Sequence, residues 1–359
     1  MTPKRSRVRR RHRTCSSEAV LSALTIKSPS QARVDYVLLL ASTAPEGAVS
    51  IVDRETPIGR LHGRIAPMKI ARLALPRALA LLAFSLASAP LLAQAEWIAQ
   101  GDAAFARRAE GAKGPHAAAG PIDQAIAAYE KALQAKPGQL EASWKLLRAL
   151  HFKGEYVAAT AQAKQDAFGR GRQVTEAAID ELGKRAGGRA KLDAMTPAAA
   201  AKALAGAPEA PYVLLWGAVD WGLWGDAFGK LAAARQGVGD KVRRYGEIVV
   251  AIDERFEEAG GHRLLGRLHT LAPKVPFITG WVDRDLAVEH LRKAVAIAPH
   301  NPYNQLYLAD ALLQYRPAAK AEAIAMLKRL VVQKPAPEQP VEDASPIAEA
   351  KTLLAKNAG

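Results

Sequence analysis

Residues 287–313 read AVEHLRKAVAIAPHNPYNQLYLADALL, and the spacing inside this stretch decides the fold. Ala287, Leu291 and Ala294 follow one another at steps of four and three, and Pro299 comes five residues later. Such steps put three residues on one face of an α-helix. The small ones let a neighbouring helix approach closely, and the proline stops the helix just beyond. Asn301 can cap a following helix that has Pro302 in its first turn, so the stretch predicts two antiparallel helices and a tight joint.

Working outward, the same steps recur at Ala125, Tyr129, Ala132 and Pro137, and again at Ala323, Leu327, Leu330 and Pro335. Partner helices accompany them. After Pro137, EASWKLLRALHFKGEY sets Trp144 and Leu147 at helical spacing, with Gly154 before a turn. The pattern resembles the tetratricopeptide repeat (TPR), a helical hairpin of about 34 residues whose second helix carries an alanine, a bulky residue, an alanine and a closing proline. The second and third copies lie 36 residues apart but the first and second 162, so degenerate units or insertions must fill the middle. Ala and Leu dominate and period-two runs are scarce, which leaves strands without support. The expected fold is therefore all-α, with stacked antiparallel helical hairpins in a TPR-like α-solenoid over residues 96–333.

Breakers divide the middle. Thr196 and Pro197 open one helix, Pro208 and Pro211 bracket the start of YVLLWGAVDWGLW, and KVRRYGEIVVAIDERFEE offers an apolar face through Val242, Tyr245, Val249, Ile252 and Phe256. Ala287 follows Leu265 by 22 residues where about 13 would suit the repeat. The surplus is a Pro-rich loop insertion near residues 271–282. Residues 334–359 read as an exposed Pro/Glu-rich tail ending in a short helix over 347–356.

MKIARLALPRALALLAFSLASAPLLAQAEW, residues 68–97, has the order of a secretion leader: basic Lys69, Arg72 and Arg77, an apolar run to Ala93 broken by Pro90, then small Ala93 and Ala95. The run is short for a membrane span. It predicts cleavage between Ala95 and Glu96, export to the periplasm, and no integral membrane segment afterwards. Residues 1–67 precede that leader and read as a mis-assigned or disordered upstream segment.

The net charge of +15 divides unevenly: residues 1–67 carry +7 and 68–95 carry +3, which leaves +5 for the remainder. A charge of +5 over that length supports no nucleic-acid partner. The single cysteine, Cys15, is also upstream, which removes thiol chemistry from the expected mature chain. That part has two serines, Ser143 in a packing helix and Ser345 in the tail, and no phosphate loop, dinucleotide fingerprint or HExxH. Neither an enzyme nor a cofactor is expected. His262 and His269 share a helical face but stand about 10 Å apart along it, too far for one metal ion. Trp216, Trp221 and Trp224, each followed by glycine, and Trp281 can fill helix interfaces or line an apolar groove.

A sharper resemblance runs from Pro211 to about Val332. YVLLWGAVDWGLW, then GGHRLLGRLHTLAPKVPFITGW, then AVEHLRKAVAIAPHNPYNQLYLADALL look like the T-component family of tripartite ATP-independent periplasmic (TRAP) transporters. The resemblance implies a periplasmic accessory that self-associates, docks the transporter's solute-binding protein and offers it an apolar ligand. Its motif residues here are Gly260, Gly261, His262, Arg263, Gly266, Gly280, Trp281, Asn304 and Tyr307. Members of the family can be lipid-anchored, and the missing cysteine departs from that. The alternative function is a general envelope TPR scaffold that holds segments of other proteins.

Overall fold

The structure, a computed structural model, describes residues 94–276 and 279–357. The segment 1–67, the expected leader up to Ala93, and residues 277 and 278 of the expected loop insertion lie outside the described residues. Among the described residues there is no β-strand, only an isolated bridge between Lys113 and His116.

Among the described residues fourteen α-helices follow in order: α1 (94–106), α2 (Ala119–Ala135), α3 (Leu140–Phe152), α4 (Ala161–Arg185), α5 (Arg189–Ala194), α6 (Pro197–Ala203), α7 (Ala210–Phe228), α8 (Lys230–Arg235), α9 (Val238–Ile252), α10 (Phe256–Leu271), α11 (Arg284–Ile297), α12 (Pro302–Tyr315), α13 (Lys320–Leu330) and α14 (Pro340–Asn357). Helices close together in the chain pack in pairs: α3 with α4, α7 with α9 across the short α8, α10 with α11, and α12 with α13. The first helices of successive pairs, α3, α7, α10, α12 and then α14, also lie side by side as one layer. The short helices α5, α6 and α8 are the insertions that stretch the middle of the repeat. Arg244 of α9 ties down the end of α5 by donating to the carbonyls of Leu192 and of Met195, its C-cap.

The spaced alanines and their bulky partners do what the spacing implies. Ala125, Tyr129, Ala132, Ala287, Leu291, Ala294, Ala323, Leu327 and Leu330 are all fully buried. The bulky member needs room in the facing helix. The Tyr129 ring lies where any side chain at Gly101 would stand, and Leu291 occupies the equivalent space over Gly266. Pro137 and Pro299 fall just past the ends of α2 and α11.

Two segments differ from the sequence expectation. The apolar face drawn through Val242 to Phe256 is interrupted, because α9 stops at Ile252 and Asp253 turns extended, its carboxylate accepting from the Arg255 amide. Glu257, Glu258 and Ala259 then make a left-handed turn, with φ of 47°, 55° and 65°, before the right-handed helix starts at Gly260. Left-handed L-residues cost roughly 1–2 kcal/mol each, so packing must impose this turn. The tail also differs: from Pro340 it is an 18-residue helix whose Val341, Pro346, Ile347 and Ala350 are buried.

The stack returns on itself. Arg108, just past α1, donates through Nε to Glu342 Oε1 of α14 at 2.6 Å, and through Nη2 to the Glu338 carbonyl at 2.6 Å. Val341 packs in the apolar cluster of α1–α3 together with Phe105, Phe152 and Tyr156. The last helix thus meets the first pair, and the layer of first helices faces inward. No helix among the described residues is long and apolar enough to cross a membrane. The Ala95–Glu96 junction lies in the exposed first turn of α1.

Candidate functional site

Each first helix gives the inner side a stripe with helical spacing. From α3 and the π-turn after it (Lys153–Val157) come Trp144, Arg148, His151 and Glu155; α7 gives Tyr212 and Trp216; α10 gives Arg263 and Arg267; α12 gives Tyr303, Tyr307 and Asp310. The stripes touch across helices. Trp144 stacks on Tyr212 at 4.4 Å, Tyr212 meets Phe256 edge-on at 4.6 Å, and His151 lies 5.4 Å from Trp216. The Tyr156 and Tyr303 hydroxyls hydrogen-bond at 2.9 Å although 147 residues separate them.

The charges here are unevenly matched. Arg267 donates to Asp310 at 2.6 Å and lies over the Tyr307 ring, so its cation is paired. Arg263 donates only to neutral oxygens: the carbonyls of Glu257 and Glu258 and the Asn304 side-chain oxygen. Burial lowers its pKa. Arg148 sits over the Phe105 and Trp144 rings with its Nε buried and unpartnered; burial lowers its pKa too. Trp216 Nε1 and His151 Nδ1 are likewise buried without a partner. Burial holds His151 near a pKa of about 4, hence neutral, and pushes Tyr307 up to about 12. Glu257, between the two arginines, is raised by burial while Arg148 and Arg263 pull it back.

The sequence-expected residues separate into groups. Trp221 is fully buried, its indole N–H held by Glu176 at 3.1 Å, and Trp224 packs edge-on against it and stacks on Phe228. These two are core of the α4/α7/α9 cluster, and only Trp216 of the three lies on the inner side. Of the glycines beside them, Gly217 is pressed on Thr175 and Gly225 on Val238, while Gly222 alone borders open space. Gly260 and Gly261 are contact points as well: a methyl group there would reach within 2.7 Å of Leu215 and 2.8 Å of Val250. Gly280 lies in the loop between α10 and α11.

Arg263 and Asn304 form the clamp of the left-handed turn. The Asn304 amide donates to the carbonyls of Glu258, Ala294 and Ala298 while its oxygen accepts from Arg263. His262 and His269 face α11 instead of the inner side. Between them stands His290, which the sequence reading did not single out: its Nδ1 is 2.8 Å from His262 Nδ1, and its ring stacks on His269. His269 Nδ1 accepts from the Asp283 amide, and Trp281 meets the His269 ring edge-on. Among the described residues no group of three or more His, Cys, Asp or Glu is arranged to hold a metal ion. Tyr156, Arg148, His151 and Tyr303 also went unnoticed. Their signal was the three- and four-residue spacing of polar and aromatic side chains opposite the apolar face.

Compared with known proteins, the chain matches no protein-family model, and no curated protein matches it.

Proposed function

We propose that the chain is a non-catalytic binding protein of the periplasm, an accessory of TRAP-type solute uptake that engages the solute-binding protein through its inner side. The observation that carries the binding reading is the inward stripe of tyrosine, tryptophan and incompletely paired arginine. Buried donors without acceptors and aromatic rings supply the contacts from which recognition surfaces are made. The transporter assignment rests on the resemblance of residues 211–332 to the T-component family, and the location rests on the leader at 68–95. Self-association belongs to the same resemblance.

The test is affinity capture from periplasm with the mature chain and with a Trp216→Ala chain. Recovery of a solute-binding protein by the first and its loss with the second supports the reading. Recovery of unrelated envelope proteins alone sinks it in favour of a general envelope scaffold. The mixed charge of the inner side, with Glu257 beside Arg148 and Arg263, is the feature that favours the scaffold, since it suits polypeptide more than an apolar small molecule.

A further inference from the structure

α14 belongs to two cores at once. Val341 packs with the first hairpins, whereas Ile347 and Ala350 pack with Leu306, Leu327 and Leu330 of the last. Pro346 stands between the two halves. Having no N–H, it cannot bond the Glu342 carbonyl four residues back, and its ring crowds that turn, so the helix is weakest where its allegiance changes.

The N-terminal half is held by few groups. Val341 is fully buried, Glu342 accepts from Arg108 through one oxygen, and its other oxygen is buried without a partner. Asp343 accepts from the Ala336 amide, and the Glu338 carbonyl accepts from Arg108. Beneath lies a cation flanked by rings: Arg108 is 4.6 Å from the Phe105 centroid and 5.8 Å from that of Phe152. A surface with an apolar socket beside an aromatic-framed arginine accepts an aliphatic side chain followed by a carboxylate. The chain itself supplies that pair as Val341 and Glu342.

We propose that residues 338–345 are a releasable plug, hinged at Pro346, and that an acidic, aliphatic helical turn of a partner protein takes their place on Arg108 and the socket around Phe105, Phe152 and Tyr156. The proposal rests on the reading that the inner side receives a polypeptide partner. The binding surface exists in the folded chain but is occupied by its own C-terminal segment until a competitor displaces it.

The test uses the full chain and a fluorescein-labelled peptide, APEQPVEDASP, which reproduces residues 336–346. Val341→Asp in the chain unseats the plug, so this variant should bind the peptide at least tenfold more tightly than the unmodified chain. Arg108→Ala added to Val341→Asp should abolish that binding, and so should an aspartate in place of the valine in the peptide. Equal binding by the unmodified and Val341→Asp chains, both helical by circular dichroism, would overturn the proposal. Hydrogen exchange of the unmodified chain is an independent readout: residues 338–345 should exchange at least tenfold faster than 347–355, and equal protection would also overturn it. A Val341→Asp chain that binds the peptide yet captures no solute-binding protein removes the transporter reading and leaves the plug standing. Capture without peptide binding does the reverse.

Discussion

Asp220, in the α4/α7 contact, and the polar groups of the α10–α12 region are buried to the same degree and treated in opposite ways. Asp220 of α7 is fully buried against Gly171 of α4, and neither carboxylate oxygen has a partner. Burial drives its pKa well above the usual carboxylate range, so the side chain is held as the neutral acid. In the second region His262, His269 and Asn304 are equally hidden, but each makes a hydrogen bond to another helix or its cap, although His262 Nε2 itself has none. An unpartnered buried group only subtracts from stability. A partnered one also fixes which helix sits where, because a shift of register would orphan its bonds.

The largest break in this comparison should come from Asn304→Leu. It removes one acceptor from Arg263 and the donor shared by the Glu258, Ala294 and Ala298 carbonyls. Orphaned buried groups cost about 1–3 kcal/mol each, so a loss of roughly 4 kcal/mol is expected in chemical denaturation. A loss below 1 kcal/mol would mean that the left-handed turn does not depend on this clamp.

Next comes Gly266→Val, which drives a branched side chain into Leu291 and toward the Ala287 carbonyl at 3.2 Å. Overpacking of this kind costs about 1–3 kcal/mol. A drop in Tm of several degrees measures it, and the same change at Gly222, which borders open space, should cost less.

The two regions should also respond to pH with opposite signs. His262, His269 and His290 all have lowered pKa values, chiefly through burial, and His290 falls to about 4. The unfolded chain then binds protons that the folded one refuses, so this region loses stability as pH falls from about 6.5 toward 4. Of the charges around the three rings, Glu254, Glu289 and Asp283 temper the loss, whereas Lys293, Arg243 and Arg284 deepen it. His290→Gln should flatten that limb of the stability curve. A curve unchanged by the substitution would place the titrating group elsewhere.

Asp220 acts in the other direction. The folded state keeps a proton that the unfolded state releases above about pH 3.9, so stability declines as pH rises from there toward the raised folded value. Asp220→Asn removes that decline and should raise stability at pH 8 by about 1 kcal/mol, since the neutral amide needs no protonation to stay buried. Destabilisation by the asparagine would show that the acid has a partner after all.

Much of this architecture is legible in local spacing. The 4-and-3 steps name nine residues that are all fully buried, because alanine and a bulky neighbour at those steps can only serve a close helix pair. Asn301 caps α12 and Thr196 caps α6 as their sequence contexts imply. What spacing does not carry is partnership over distance. Phe256 fits the apolar face of α9 by position, yet the extended Asp253 ends α9 before it and the left-handed turn held by Arg263 and Asn304 follows directly after it. His290 is an ordinary helical residue until α10 packs beside it. Val341 and Glu342 read as part of an exposed Pro/Glu-rich tail because the socket that receives them is formed by Phe105, Arg108, Phe152 and Tyr156, far earlier in the chain.

The contact between Arg108 and Glu342 also limits how this chain can evolve. An open stack of hairpins can lengthen or shorten by whole units, since each unit contacts only its neighbours. Here a duplicated or deleted hairpin would carry α14 away from Arg108 and empty the Val341 socket. A change in unit number would therefore break the contact between the two ends, whereas residues can be added to or removed from the inserts α5, α6, α8 and the loop after α10 without moving those ends apart.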